Sequence, residues 1–154
     1  MSDEISMEIT IPADEEGFVL LQCEHCDSYF KLTPADMEDD EILFIHCPSC
    51  GLIGDNFVTD DIIELAMTMA KNKADDLIYD MFKDLERHNS HNSPVKFKAG
   101  KKPQEEYESP IKAITDNLTI KEYICCHRSA KISPLMKISA NYCPFCGVID
   151  FGNE

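Results

Sequence analysis

The chain has 154 residues, is 44% hydrophobic, contains no tryptophan, and sets 29 acidic side chains against 14 basic ones for a net charge of -15. That length allows one or two compact units, and the apolar content is too sparse for two large independent cores. No run of about 20 apolar residues is present, which excludes a membrane-spanning helix, and the acidic start is not the pattern of a secretory leader. The expected location is the reducing cytoplasm.

In chain order, Ile5, Met7, Ile9 and Ile11 alternate with polar residues, the period of a strand with one buried face. Phe18 to Gln22 reads as a second strand, paired with the first as a hairpin. Tyr29 to Leu32 and Ile42 to Ile45 read as further short strands, joined by an acidic segment that ends in Glu38-Asp39-Asp40-Glu41. Thr59-Asp60-Asp61 starts a helix, with a capping hydroxyl and two acids at the positive end of the dipole. Apolar residues then recur at steps of three and four from Ile62 to Leu85, predicting one amphipathic helix, or two with a break near Asn72. The stretch from His88 to Pro110 is rich in Asn, Ser, Pro and Gly and reads as a linker. Leu118 to Cys125 and Ala130 to Ile138 supply more strand. The fold expected is α+β. An N-terminal β unit over 1–58, an amphipathic helix over 59–88, a flexible linker over 89–110 and a second small β unit over 111–154 make it up.

Eight cysteines require a reason other than secretion, because cytoplasmic thiols stay free, bind metal or do redox work. Cys23-x-x-Cys26 and Cys47-x-x-Cys50 are separated by twenty residues. Two cysteines spaced this way share one tight turn with both sulfurs inward, and backbone amides of the turn can donate to them. Pro48 presets the second turn and Gly51 permits its sharp exit. Two such knuckles facing each other make a tetrahedral four-cysteine site suited to Zn²⁺. Strand, knuckle, strand, knuckle then recurs near the C-terminus, where Cys143-Pro144-Phe145-Cys146-Gly147 is regular and Cys125-Cys126-His127 is not. Aligning Lys131-Ile132 with Lys31-Leu32 sets Cys126 against Cys26 and Tyr123 against Cys23. Cys125 with Cys126 would complete a second four-cysteine site and use all eight thiols. His127 could instead replace either of them. Two zinc sites are expected.

Cys23-Glu24-His25-Cys26, Tyr29-Phe30-Lys31-Leu32 and Cys47-Pro48-Ser49-Cys50-Gly51 together resemble the short bacterial and archaeal zinc ribbons, over roughly residues 18–58. The C-terminal segment resembles divergent ribbons in which an adjacent cysteine pair replaces C-x-x-C. The resemblance implies fold and metal rather than function. Asp27 stands where many such knuckles place glycine.

Charge narrows the partners. Residues 1–60 sum to -14, residues 61–90 to -3 and residues 91–154 to +2. The first sixty residues repel phosphate, so nucleic acid is possible as a partner but not favoured, and the only basic cluster is Lys96, Lys98, Lys101 and Lys102. A basic protein partner suits the acidic surface. No Walker loop, H-E-x-x-H or G-x-S-x-G signature is present, so the reading is non-enzymatic: an interaction or adaptor module with structural zinc. Two alternatives remain, a transcription-associated or nucleic-acid-binding ribbon protein and a rubredoxin-like iron carrier.

Overall fold

The computed structural model describes residues 4–89, 94–111 and 117–152. Its chain divides into two compact units. One holds the described residues 10–62 and 111–152, and the other the described residues 4–9 and 63–110.

The first unit contains both cysteine-bearing halves. β1 (Val19–Gln22) pairs antiparallel with β2 (Tyr29–Leu32), and β3 (Thr119–Tyr123) pairs antiparallel with β4 (Arg128–Ile132). β2 and β4 then pair with each other, giving one four-stranded sheet in the order β1-β2-β4-β3. The register sets Lys31 opposite Lys131. These residues stand one hundred positions apart and are equivalents in the repeat, so a local two-fold axis passes between them. The repeat continues past the sheet. β2 leads into the one-turn α1 (Pro34–Met37), capped by Thr33, and β4 into the one-turn α3 (Pro134–Lys137), capped by Ser133. In both caps the hydroxyl accepts from the third residue on, and proline takes the first helical position, where its missing N–H costs nothing.

The symmetry is that of an isologous interface inside one chain, where each contact occurs twice with roles exchanged. His46 N–H donates to Pro144 O at 2.8 Å, and Tyr142 N–H donates to Pro48 O at 2.9 Å. Gly51 lies against the Tyr142 ring, and Gly147 against the His46 ring. At either glycine a Cβ would come within 2.8 Å of that ring. The core between the halves consists of Phe30, Leu32, Tyr123 and Ile132, all fully buried, with Cys23, Cys47 and Cys143. Phe57 meets Phe30 edge-on at 5.5 Å. Where one half has Cys23 and Phe30, the other has Tyr123 and Ala130, so each contributes one ring and one small side chain at these two positions.

Two ionic clusters bind the halves and break the symmetry, one at Lys131, which also meets Glu16 Oε2 at 2.5 Å, and one at Arg128. Asp14 Oδ2 accepts from Lys31 Nζ at 3.1 Å and from Lys131 Nζ at 2.6 Å, so one carboxylate answers both lysines that face each other across the sheet. Arg128 donates to Asp36 Oδ1 at 2.8 Å and to Asp39 Oδ2 at 2.7 Å, and its guanidinium lies 5.9 Å from the centre of the Phe145 ring. The acidic run is therefore partly held by Arg128. It is also where the first half is four residues longer than the second, since the repeat spacing falls from one hundred at α1 to ninety-six at Cys47.

Several expected strands take other forms. Residues 42–45 form no strand, and only His46 bridges, to Ile53. Leu43 and Phe44 are exposed, because the chain here belongs to the extra acidic loop rather than to the sheet. Pro134 stops β4 and starts α3, so strand does not extend to Ile138. Residues 5–11 make no hairpin with β1. Beyond β2, Val19 bridges to Ala13 and Gln22 N–H donates to Phe57 O at 2.9 Å. Residues 4–9 belong to the second unit instead.

α2 (Asp60–Asn89) starts in the first unit, lies in the second from Ile63 on, and continues without a break through Asn72. Its first amides are met by Gln22 Oε1, which accepts from Asp60 N–H at 3.2 Å, and by the Asp61 carboxylate, which accepts from Ile62 N–H at 3.0 Å. Thr59 is buried at its start, and its hydroxyl meets Asp61 rather than a backbone amide. Residues 94–110 form no regular secondary structure and run back along the helix. Phe97 meets Phe82 at 5.7 Å, Lys102 pairs with Asp76 at 3.0 Å, and Lys71 pairs with Glu106. Asn72 is buried and holds the Glu106 backbone on both sides: its Nδ2 donates to Glu106 O and its Oδ1 accepts from Glu106 N–H, each at 2.9 Å. Met7 joins Met69, Asn72 and Glu105 around a shallow cavity of about 220 Å³, which places the apolar N-terminal residues beside the helix.

Candidate metal centres

Four tight turns build the site, and all close in the same way. The residue after each turn donates its N–H to the carbonyl four positions back: Asp27 to Cys23 at 2.9 Å, Gly51 to Cys47, His127 to Tyr123 and Gly147 to Cys143 at 2.8 Å each. Each of these donors has a positive φ: 59° at Asp27, 74° at Gly51, 55° at His127 and 70° at Gly147. A left-handed residue reverses the chain there and turns the side chains of the loop toward one point. The irregular turn at Tyr123–His127 thus has the same geometry as the other three, with tyrosine where they carry their first cysteine.

That exchange explains the adjacent cysteine pair. Tyr123 stands in the place of Cys23, and Cys125, two residues on, supplies the sulfur the tyrosine cannot. The ring itself fills the core, and its hydroxyl donates to the buried Asn141 Oδ1 at 2.9 Å. Asn141 completes its bonding by donating from Nδ2 to Met136 O at 2.9 Å and Ser139 O at 3.0 Å. Burial pushes the Tyr123 phenol up, so the group remains a donor across the ordinary pH range.

The eight sulfurs fall into two groups, Cys23, Cys26, Cys47 and Cys50 in one and Cys125, Cys126, Cys143 and Cys146 in the other. Within each group the ligand atoms all lie within 4.8 Å of one another. Cys23 and Cys50 are 3.7 Å apart, Cys26 and Cys47 3.6 Å, and Cys126 and Cys143 3.7 Å. A tetrahedron with metal–sulfur bonds of about 2.3 Å has sulfur–sulfur edges of roughly 3.8 Å. The donor set therefore fits a four-coordinate ion in both groups, and these sulfurs are too far apart to be bonded to each other. His127 is not among the converging atoms. Its exposed ring turns to Glu122, with Nδ1 3.6 Å from Oε1. His25 and His46 likewise look away from the sulfurs, toward Ile53 O and Pro144 O.

No protein family, curated protein or solved structure matches the chain.

The electrostatics of the two groups favour a cation. Burial pushes the thiols of Cys47 and Cys143 well above their ordinary value, and it raises Cys50 as well and Cys146 to about 11. Burial also works to raise Cys26, yet hydrogen bonding from Ser28 and from the neighbouring sulfurs outweighs it and brings this thiol down to about 6. Backbone amides already face two of the sulfurs, His25 N–H donating to Cys23 Sγ and Ser49 N–H to Cys47 Sγ, both at 3.4 Å. Four thiolates this close repel one another unless a positive charge sits among them. The eight cysteines marked by their spacing are those the structure brings together. Asp14 and Arg128, whose lysine and carboxylate partners Lys131 and Asp36 lie 117 and 92 positions away, leave no local pattern, and neither does the buried contact of Asn141 with Tyr123.

Proposed function

We infer that each cysteine group holds one structural Zn²⁺, that the two halves are zinc ribbons packed back on each other, and that the chain is a non-enzymatic adaptor for a basic protein partner in the cytoplasm. The observation that carries this reading is the convergence of four sulfurs in each half within 4.8 Å of one another, with Cys23–Cys50, Cys26–Cys47 and Cys126–Cys143 near the edge length of a tetrahedral site. Four thiolates fill the coordination of a zinc ion and leave no position for water or substrate, which is the pattern of structural rather than catalytic sites. When bound, the ion supplies cross-linking of turns from distant parts of the chain, and folding free energy with it. Charge supports the choice of partner. The first sixty residues sum to -14, and their one basic side chain, Lys31, is already held by Asp14. Such a surface attracts basic proteins and repels phosphate.

Affinity capture with the full chain from its native cells tests the reading. A protein partner should stay bound after nuclease treatment and be released by raising salt, because screening weakens contacts between exposed charges. Recovery of nucleic acid, with loss of every partner after nuclease, would contradict it. The purified protein should be colourless, and a red sample would mean iron and electron transfer instead.

A further inference from the structure

α2 carries a second apolar face that nothing among the described residues covers. The face consists of Ile63, Met67, Ala70, Ala74, Ile78, Met81 and Leu85, all exposed, with Met67 at 69% and Met81 at 65%. It runs about 33 Å along the helix at 1.5 Å per residue. The opposite face is the one taken by residues 94–110, through Asn72 and Asp76. At 100° per residue, Asn72 points about 200° away from Ala74.

The order of these residues says what fits there. The steps read four, three, four, four, three, four, which is the same in both directions from Ala74. Reversing the helix about Ala74 sets Ile63 on Leu85, Met67 on Met81, Ala70 on Ile78 and Ala74 on itself. Every layer is apolar, and the small Ala70 receives the large Ile78, as interdigitating layers require. Eleven-residue spacing of this kind keeps the seam on one side of a nearly straight helix. Charge at the axis agrees with the same direction: Lys73 lies just before Ala74 and Asp75 just after it, so reversal about Ala74 sets Lys73 of each copy at the level of Asp75 of the other, whereas two parallel helices bring like beside like.

We propose that this face binds a second copy of the chain, forming an antiparallel helix pair with its two-fold axis at Ala74. The contact is isologous, so it closes at two copies and does not propagate. It goes beyond the metal reading and uses no cysteine.

Analytical ultracentrifugation of the full chain tests it. Wild type at roughly 50 µM should sediment at twice the 17.5 kDa chain mass. Met67→Glu and Met81→Lys should each weaken the dimer by at least about tenfold, with helix content by circular dichroism unchanged because both side chains are exposed. An equimolar mixture of the two variants, and the double variant M67E/M81K alone, should regain the dimer, because residue 67 of one copy meets residue 81 of the other. Wild type sedimenting as a single chain, or single variants that remain dimeric, would overturn the proposal. So would a mixture and a double variant that both stay monomeric, since that result belongs to a parallel pair or to a different occupant.

Discussion

Asp14 carries more of the contact between the two halves than its position in an acidic loop suggests. Burial works to raise its carboxyl, but Lys131, the Phe18 N–H and Lys31 outweigh burial and hold it well below the ordinary carboxylate range. A group depressed in the folded state stabilises above its unfolded value, near 3.9, and that contribution fades as pH falls toward the folded value. Asp14→Asn should therefore cost about 2 kcal/mol at neutral pH, because Lys31 loses its carboxylate and Lys131 keeps only Glu16. Chemical denaturation of wild type and variant across pH should show the gap constant above about pH 4 and shrinking below it. A gap that does not depend on pH would show that the lost contact is not ionic. Arg128 is the companion case on the other side of the sheet. It is the one guanidinium near Asp36 and Asp39 and fixes the acidic loop where the first half is longer. Neither side chain could be singled out in the sequence, since Asp14 and Lys131 are 117 positions apart and Arg128 and Asp36 are 92.

The knuckles set the local geometry, and their left-handed residues can be tested against each other. Asp27 pays for a conformation that glycine adopts freely, so Asp27→Gly should stabilise by about 1 kcal/mol. Gly51→Ala should do the reverse, by about 2 kcal/mol or more, because the same backbone angle is joined by contact with the Tyr142 ring. Thermal unfolding of both variants under identical conditions measures the pair. Equal and small effects would mean the turns are not held in the left-handed form. Much of this level was legible in advance. The spacing of the cysteines gave the knuckles, and the three-and-four steps of apolar residues gave α2. The echo of Lys31 in Lys131 gave the repeat. What could not be read was how the repeat is used, because pairing between β2 and β4 depends on tertiary register rather than on either strand alone. The N-terminal alternation misled for a related reason. Ile5 and Met7 do stay largely exposed, so period two there marks an extended segment and not a buried strand face. No break occurs near Asn72. Its amide instead imitates a strand partner for Glu106, a role that only the returning chain reveals.

At the scale of the molecule, the cysteine-bearing halves form one symmetric sheet whose interior is small. Its fully buried large side chains are few, and three of the thiols lie among them. A core of that size needs a further source of order, and the sulfur groups are placed to provide it when an ion is bound. No helix among the described residues is long and apolar enough to cross a membrane. If two bound ions hold the sheet together, native mass spectrometry of protein purified without chelator, combined with thiol titration before and after chelation, will show it. The expected result is two zinc ions per chain, eight protected thiols while they are bound, and loss of the sheet when they are removed. A chain that carries no metal, keeps its fold and exposes eight freely reactive thiols would contradict it.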